Sequence, residues 1–215
     1  MGLSMEAGAH TVISRWCRVR PGEKVLIISD EHHVQESMAL WSAADRRGAS
    51  VALLTIQERA SHPGSIFRSM SDFVLRNDVI IGATNFSLVT NRITQEVLAK
   101  GGRFLSLPLS SSSGQPALTF SFMDMDPEEA ERAGRGMLEA LRRAGEVRVT
   151  TALGTDLTFG KRGREPGLFN GLADQPGKVG SSSFEIYIGI EEHVTSGQAV
   201  VDGSLGYLGL PAAPI

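Results

Sequence analysis

The segment VRPGEKVLIISDEHHVQESMALWSAADRRGASVALLTI, residues 19–56, holds one complete strand–helix–strand cycle. Pro21-Gly22 reads as a turn, because proline presets one backbone angle and glycine tolerates the next. Val25-Leu26-Ile27-Ile28 follows as an unbroken apolar run, the pattern of a strand buried on both faces. Ser29 and Asp30 offer capping oxygens for a helix near His33 to Arg47, where Val34, Met38 and Trp41 keep helical spacing. Arg46 and Arg47 sit at the negative end of that helix dipole, and Gly48 is placed to cap it. Ser50 to Ile56 then reads as the second strand.

Working outward, the cycle repeats. Upstream, Ser4 to Cys17 predicts a helix with Met5, Ala9, Val12, Ile13 and Trp16 on one stripe. Downstream come a helix near Ser65 to Leu75, a strand at Asp78 to Ile81, a helix near Asn91 to Lys100 and a strand at Arg103 to Leu107. Asp126-Pro127-Glu128-Glu129 is a helix start, with Asp126 as N-cap, Pro127 at the first helical position and Glu129 closing a capping box. Ala130, Ala133, Met137 and Leu141 continue it towards Gly145. Such alternation implies crossover connections and a largely parallel sheet with helices on both faces. The expected fold is α/β, a doubly wound, mostly parallel sheet domain over residues 1–145, followed by the start of a β-rich second domain.

That second part, residues 146–215, predicts strands at Glu146 to Thr150 and Thr155 to Phe159, then a loop from Gly160 to Ser183. Beyond it Ile186, Ile188 and Ile190 alternate with Glu185, Tyr187 and Gly189, the period of a half-buried strand. Thr195-Ser196-Gly197 reads as the turn to a return strand from Gln198 to Val201, so a hairpin is expected. The domain is expected to be incomplete.

Composition narrows the function classes. In 215 residues, 41% hydrophobic and 21% charged, there is ample length for a real core. The net charge of −3 offers no footprint for nucleic acid or an anionic membrane. The single cysteine, Cys17, excludes an internal disulfide and a cysteine-based zinc knuckle. With neither a signal peptide nor a membrane-length apolar run, a cytoplasmic location is expected.

Four stretches carry possible chemistry. Asp30-Glu31-His32-His33 lies at the carboxyl end of a parallel strand, where open α/β sheets bind ligands. It reads as a solvated helix start, with metal or substrate binding as the alternative. It lacks a glycine-rich phosphate cradle. Thr84-Asn85-Phe86-Ser87 occupies the equivalent place after the third strand and could line a pocket or simply form a turn. Lys161-Arg162-Gly163-Arg164 and Glu191-Glu192-His193 read as solvated charged turns, with anion anchoring and metal ligation as their alternatives. There is no HExxH motif and no GxSxG elbow.

Taken together, Val19-Arg20-Pro21-Gly22-Glu23-Lys24-Val25-Leu26-Ile27, Thr84-Asn85-Phe86-Ser87-Leu88, Gly154-Thr155-Asp156-Leu157-Thr158-Phe159 and Glu185 through Ser204 resemble the aminopeptidase T family of metallopeptidases. Within it the likeness is to the branch that includes the 2,5-dihydroxypyridine 5,6-dioxygenases. The resemblance implies hydrolysis of N-terminal amino acids from peptides with a divalent metal, zinc, cobalt or manganese. Ring cleavage of hydroxylated pyridines with mononuclear iron is the alternative, and a non-catalytic binding or oligomerisation subunit a third. It implies Glu185 as a metal ligand, matching the glutamate of a Pro-x-Gly-Glu sequence, although Ser182-Ser183-Phe184 stands before it here. It places Asp30 and Asn85 on the substrate cleft. Family members continue past the position of Ile215, and that part carries the remaining ligands, so a truncated form that does not hold metal by itself is expected. The expected partners are a peptide or small-molecule substrate and further copies of the chain.

Overall fold

The computed structural model describes residues 2–57, 63–111 and 113–203. They fall into two compact units, one running up to Ala133 and including Phe169–Glu185, the other made of Gly134–Leu168 and the residues from Ile186 onward.

The first unit is built on a five-stranded parallel sheet. Its strands are β1 (Lys24–Asp30), β2 (Ser50–Ile56), β3 (Val79–Ala83), β4 (Arg103–Ser106) and a strand at Val179–Ser181, in the order β2-β1-β3-β4-Val179–Ser181. The chain leaves β1 to one side for β2 and returns to the other side for β3, so the switch point lies between the carboxyl ends of β1 and β3. As its unbroken apolar run requires, β1 is covered on both faces. Val25 and Ile27 join one core with Val79, Ile81 and Leu105, while Leu26 and Ile28 join another with Ile80 and Phe104. The fold is the expected α/β sheet flanked by helices, with antiparallel strands after it.

Helices follow the predicted order. α1 (Met5–Thr11) continues into a π-helical turn at Val12–Trp16, and Ala9, Val12, Ile13 and Trp16 are buried as their spacing predicts. α2 (Val34–Arg46) turns a different face inward from the expected one. Val34 and Met38 are exposed, and Ser37, Leu40, Ala43 and Ala44 are buried. Small side chains bring the helix backbone close to the sheet, a choice that a search for large apolar residues misses. Ser37 Oγ donates to Ser29 Oγ across 2.7 Å. α3 (Ser71–Val74) and α4 (Arg92–Ala99) complete the helices between strands.

α5 (Pro127–Arg143) has the expected cap, Asp126 Oδ1 accepting the backbone N–H groups of Glu128 and Glu129 at 2.8 and 3.2 Å, but the Glu129 side chain does not close the expected capping box. Those donors hold the Asp126 carboxyl below its ordinary value, first of all the N–H of Glu129. Its inward stripe includes Leu138 rather than Met137, which is exposed. Gly134 lies on that stripe, where a Cβ would stand 3.1 Å from Ile186 Cδ1.

The second unit holds β5 (Glu146–Thr150) and β6 (Asp156–Gly160), paired antiparallel. β7 (Gly167–Phe169), β8 (the Val179–Ser181 strand already placed beside β4), β9 (Glu185–Tyr187) and β10 (Ser196–Gln198) follow in chain order. Two expectations change here. Residues 160–183 were expected to form a loop, but β8 extends the parallel sheet, pairing Phe104 with Val179 and Ser106 with Ser181. The terminal hairpin does not form either. β10 pairs with β6, setting Gly197 opposite Leu157, and β9 pairs with β7. Period-2 alternation shows which side chains face in but carries no information about the partner strand. Ile186 and Ile188 are half-buried and Glu185 and Tyr187 exposed, as that alternation predicts, but Ile190, expected on the inward row, is exposed beyond the end of β9.

Candidate functional site

The carboxyl edge of the parallel sheet gathers polar groups in order. β1 ends in Ser29-Asp30, β4 in Ser106 and β8 in Ser181. Ser106 Oγ accepts the backbone N–H of Leu88 at 3.1 Å and lies 3.0 Å from Ser87 Oγ, which ties the loop after β3 to the end of β4. Within that loop Thr84 Oγ1 donates to the carbonyl of Phe86 across 2.7 Å. Ser181 Oγ and Ser183 Oγ stand 3.0 Å apart.

Asp30 and Asn85, assigned to the cleft from sequence, meet at the switch point. Asp30 is 2% exposed, and both of its carboxylate oxygens accept backbone N–H groups, Oδ1 from His32 at 3.0 Å and Oδ2 from Asn85 at 2.5 Å. The carboxylate thus ties together the loops that follow β1 and β3, and Asn85, Phe86 and Ser87 of the second loop are half-buried. Ser106, Ser181 and Ser183 were not singled out from sequence. The signal was a serine closing β4 and the Val179–Ser181 segment, visible only once that segment is known to be a strand.

Glu185 is exposed at the start of β9. Before it, Phe184 adopts a φ of 43°, in the left-handed region that favours glycine. Its ring meets Trp16 edge-on, with centroids 5.2 Å apart at 71°. Gly171, at φ 83°, makes room for both rings, since a Cβ there would lie 3.1 Å from Trp16 and 3.2 Å from Phe184. Phe184 thus takes the conformation expected to need glycine, held by aromatic packing.

Whether these residues fit a metal is a question of donors. Among the described residues no three His, Cys, Asp or Glu side chains are gathered so as to hold an ion. His10 lies in α1, His32 and His33 lie between β1 and α2, and His193 lies in a turn at φ 66°. One exposed carboxylate is not a binding set for a two-metal or an iron centre, so the described residues do not by themselves fit the implied metal.

Two charged runs read as solvated turns pair with each other. Arg164 bonds Glu192 Oε2 at 2.7 Å, and Glu191 Oε2 accepts the backbone N–H of Arg162 at 3.1 Å. Lys161 is buried, its Nζ donating to the carbonyl of Leu141 in the last turn of α5 at 2.7 Å. Both runs are structural, with the lysine completing the carbonyl end of a helix.

Among the described residues no helix is long and apolar enough to cross a membrane.

Comparison with known proteins places this architecture. No curated protein matches the chain significantly by sequence. The solved structure of 2,5-dihydroxypyridine dioxygenase from Pseudomonas putida KT2440 superposes with a TM-score of 0.72 at 18% identity, over 91% of this chain and 58% of that one. AmpT from Thermus thermophilus superposes with a TM-score of 0.61 at 16% identity, over 93% of this chain and 64% of that one. The chain therefore spans less than two thirds of either relative, and the likeness to each is one of fold. The family model for NicX, 2,5-dihydroxypyridine 5,6-dioxygenase, matches residues 9–204. Over that length the chain belongs to the NicX family, the dioxygenase branch of the aminopeptidase T fold.

Proposed function

We propose that this protein acts in the dioxygen-dependent opening of a hydroxylated pyridine ring. The observation that carries this reading is the family match across residues 9–204. Open α/β sheets bind ligands at the carboxyl ends of their strands beside the switch point, where the half-buried Asn85 and Ser87 stand. In this reading Asn85 lines the cleft and Asp30 holds its two loops in place. A dioxygenase places both atoms of dioxygen into the cleaved ring, and iron is the cofactor such chemistry calls for. Glu185 is the candidate ligand in this chain. The described residues complete no metal set, so no step is assigned to a metal here.

The test is oxygen uptake by the protein with ferrous iron and 2,5-dihydroxypyridine, run beside release of amino acids from amino-acid amides with zinc, cobalt or manganese. With ferrous iron in large excess, because the described residues gather no complete ligand set, the expected result is dioxygen consumed in step with loss of the ring chromophore. Amide hydrolysis without oxygen uptake would replace this reading with peptide hydrolysis. Neither reaction would leave a binding role.

A further inference from the structure

A cavity of about 570 Å³ lies at the amino end of the parallel sheet, opposite the edge that carries Asp30 and Asn85. That is the size of a small-molecule site. Within the first unit it is lined by the turn before β1, the loop between α3 and β3 and the turn between α4 and β4. Each of these segments brings an exposed cation to it, in turn Arg20, Arg76 and Lys100. Among the described residues none of the three side chains has a hydrogen-bond or ion-pair partner. Arg103, 4% exposed at the start of β4, lines the same cavity. Its Nη1 donates to the carbonyls of Cys17 and Asp174 at 3.0 and 3.4 Å, and its Nη2 to Glu23 Oε2 at 2.6 Å. No described residue accepts its Nε–H. A buried cationic donor left with an unused N–H beside a cavity calls for an explanation.

The acids on the cavity wall do not answer this charge. Glu23 Oε2 is taken by Arg103 and by the backbone N–H of Arg20 at 2.8 Å. Asp174 is paired with Arg18 and Lys178, at 3.0 and 3.2 Å, neither of which lines the cavity. Asp78 Oδ2 accepts the backbone N–H of Lys24 at 2.8 Å and sets one negative charge against three unpaired cations. Helix carboxyl ends attract cations, and α4 ends at Ala99, which gives Lys100 a structural reason to be there. That reason reaches neither Arg20, in the turn before β1, nor the Nε–H of Arg103.

We propose that this cavity binds the phosphate group of a small phosphorylated molecule. A phosphoryl head accepts hydrogen bonds from several directions at once, whereas a carboxylate accepts them in one plane. Donors that arrive from three loops and a strand match the first pattern. Arg103 supplies a fixed donor, its guanidinium already oriented by three bonds. Arg20, Arg76 and Lys100 supply the positive charge that balances the phosphate oxygens.

The experiment titrates the full chain with inorganic pyrophosphate by calorimetry at low salt, with citrate as the carboxylate control. The expected result is one pyrophosphate bound per chain, more weakly as sodium chloride is added. Affinity should fall about tenfold in the double variant Arg76→Gln/Lys100→Gln. It should hold in Arg135→Gln/Arg142→Gln, which removes the same charge from exposed positions of α5 outside the cavity. All four positions are exposed, and circular dichroism checks that both variants fold. No pyrophosphate bound by the unaltered chain, or an equal effect of the two double variants, would overturn the site. Citrate bound as tightly as pyrophosphate would overturn its assignment to phosphate.

Discussion

Asp30 Oδ2 accepts the backbone N–H of Asn85 across 2.5 Å, linking the end of β1 to the loop after β3 at the switch point of the sheet. With Oδ1 on the N–H of His32, one buried carboxylate sets the separation of the loops that follow β1 and β3. Charge-assisted bonds of this kind are the stronger class, and losing one leaves a buried donor without a partner.

Asp30→Asn should therefore destabilise the protein by about 1–3 kcal/mol, because the new NH₂ group faces an N–H donor. Urea denaturation followed by circular dichroism measures this. An unchanged midpoint would show that the carboxylate does not hold the loops.

Phe184 reverses an ordinary expectation. At φ 43° a Cβ is strained by about 1 kcal/mol, and packing of the ring against Trp16 and the core beside it offsets that. Phe184→Ala loses the ring and keeps the strain, while Phe184→Gly loses the ring and the strain together. Both should be less stable than the parent, by about 2 kcal/mol or more. The glycine variant should be the more stable of the two by about 0.5–1 kcal/mol. Thermal unfolding of the pair decides it, and the opposite order would mean that the backbone relaxes freely.

Cys17 is buried, and burial pushes its thiol up to about 12, with nearby Arg103 pulling in the opposite direction. The native state keeps a proton that the unfolded chain releases above the ordinary value near 9. Stability contributed by the protonated thiol is thus complete below pH 9 and declines as pH rises towards 12. Denaturation midpoints should fall over that window by more in the parent than in Cys17→Ala. A thiol reagent at neutral pH should react only after denaturant is added, and rapid native labelling would contradict the packing.

Metal analysis tests the ligand count. Purified in the presence of iron, zinc, cobalt or manganese, the chain should retain well below one ion per molecule, and Glu185→Ala should change little. One-to-one retention abolished by Glu185→Ala would show that Glu185 anchors a set which the described residues do not assemble.

Much of this was legible in the residue order. The apolar run Val25–Ile28, the Pro-Gly turn before it and the Asp126-Pro127 helix start are local signals, and the structure repeats them because backbone sterics and capping act over a few residues. The placing of Asp30 and Asn85 at strand ends followed from the same alternation, whereas the adjacency of β1 and β3 came from the strand order of the folded sheet. The pairing of Lys161–Arg164 with Glu191–Glu192 did not follow, since each run by itself is indistinguishable from a solvated turn.

By itself, then, the sequence determined the α/β class, the parallel core and the strand ends where polar residues gather, because period and punctuation are encoded locally. Only the tertiary structure decided that Val179–Ser181 joins the parallel sheet, that Ser196–Gln198 pairs with β6 and that α2 turns Glu36 inward beside His33. Those outcomes depend on which distant surface each segment buries, and burial is settled by the whole core.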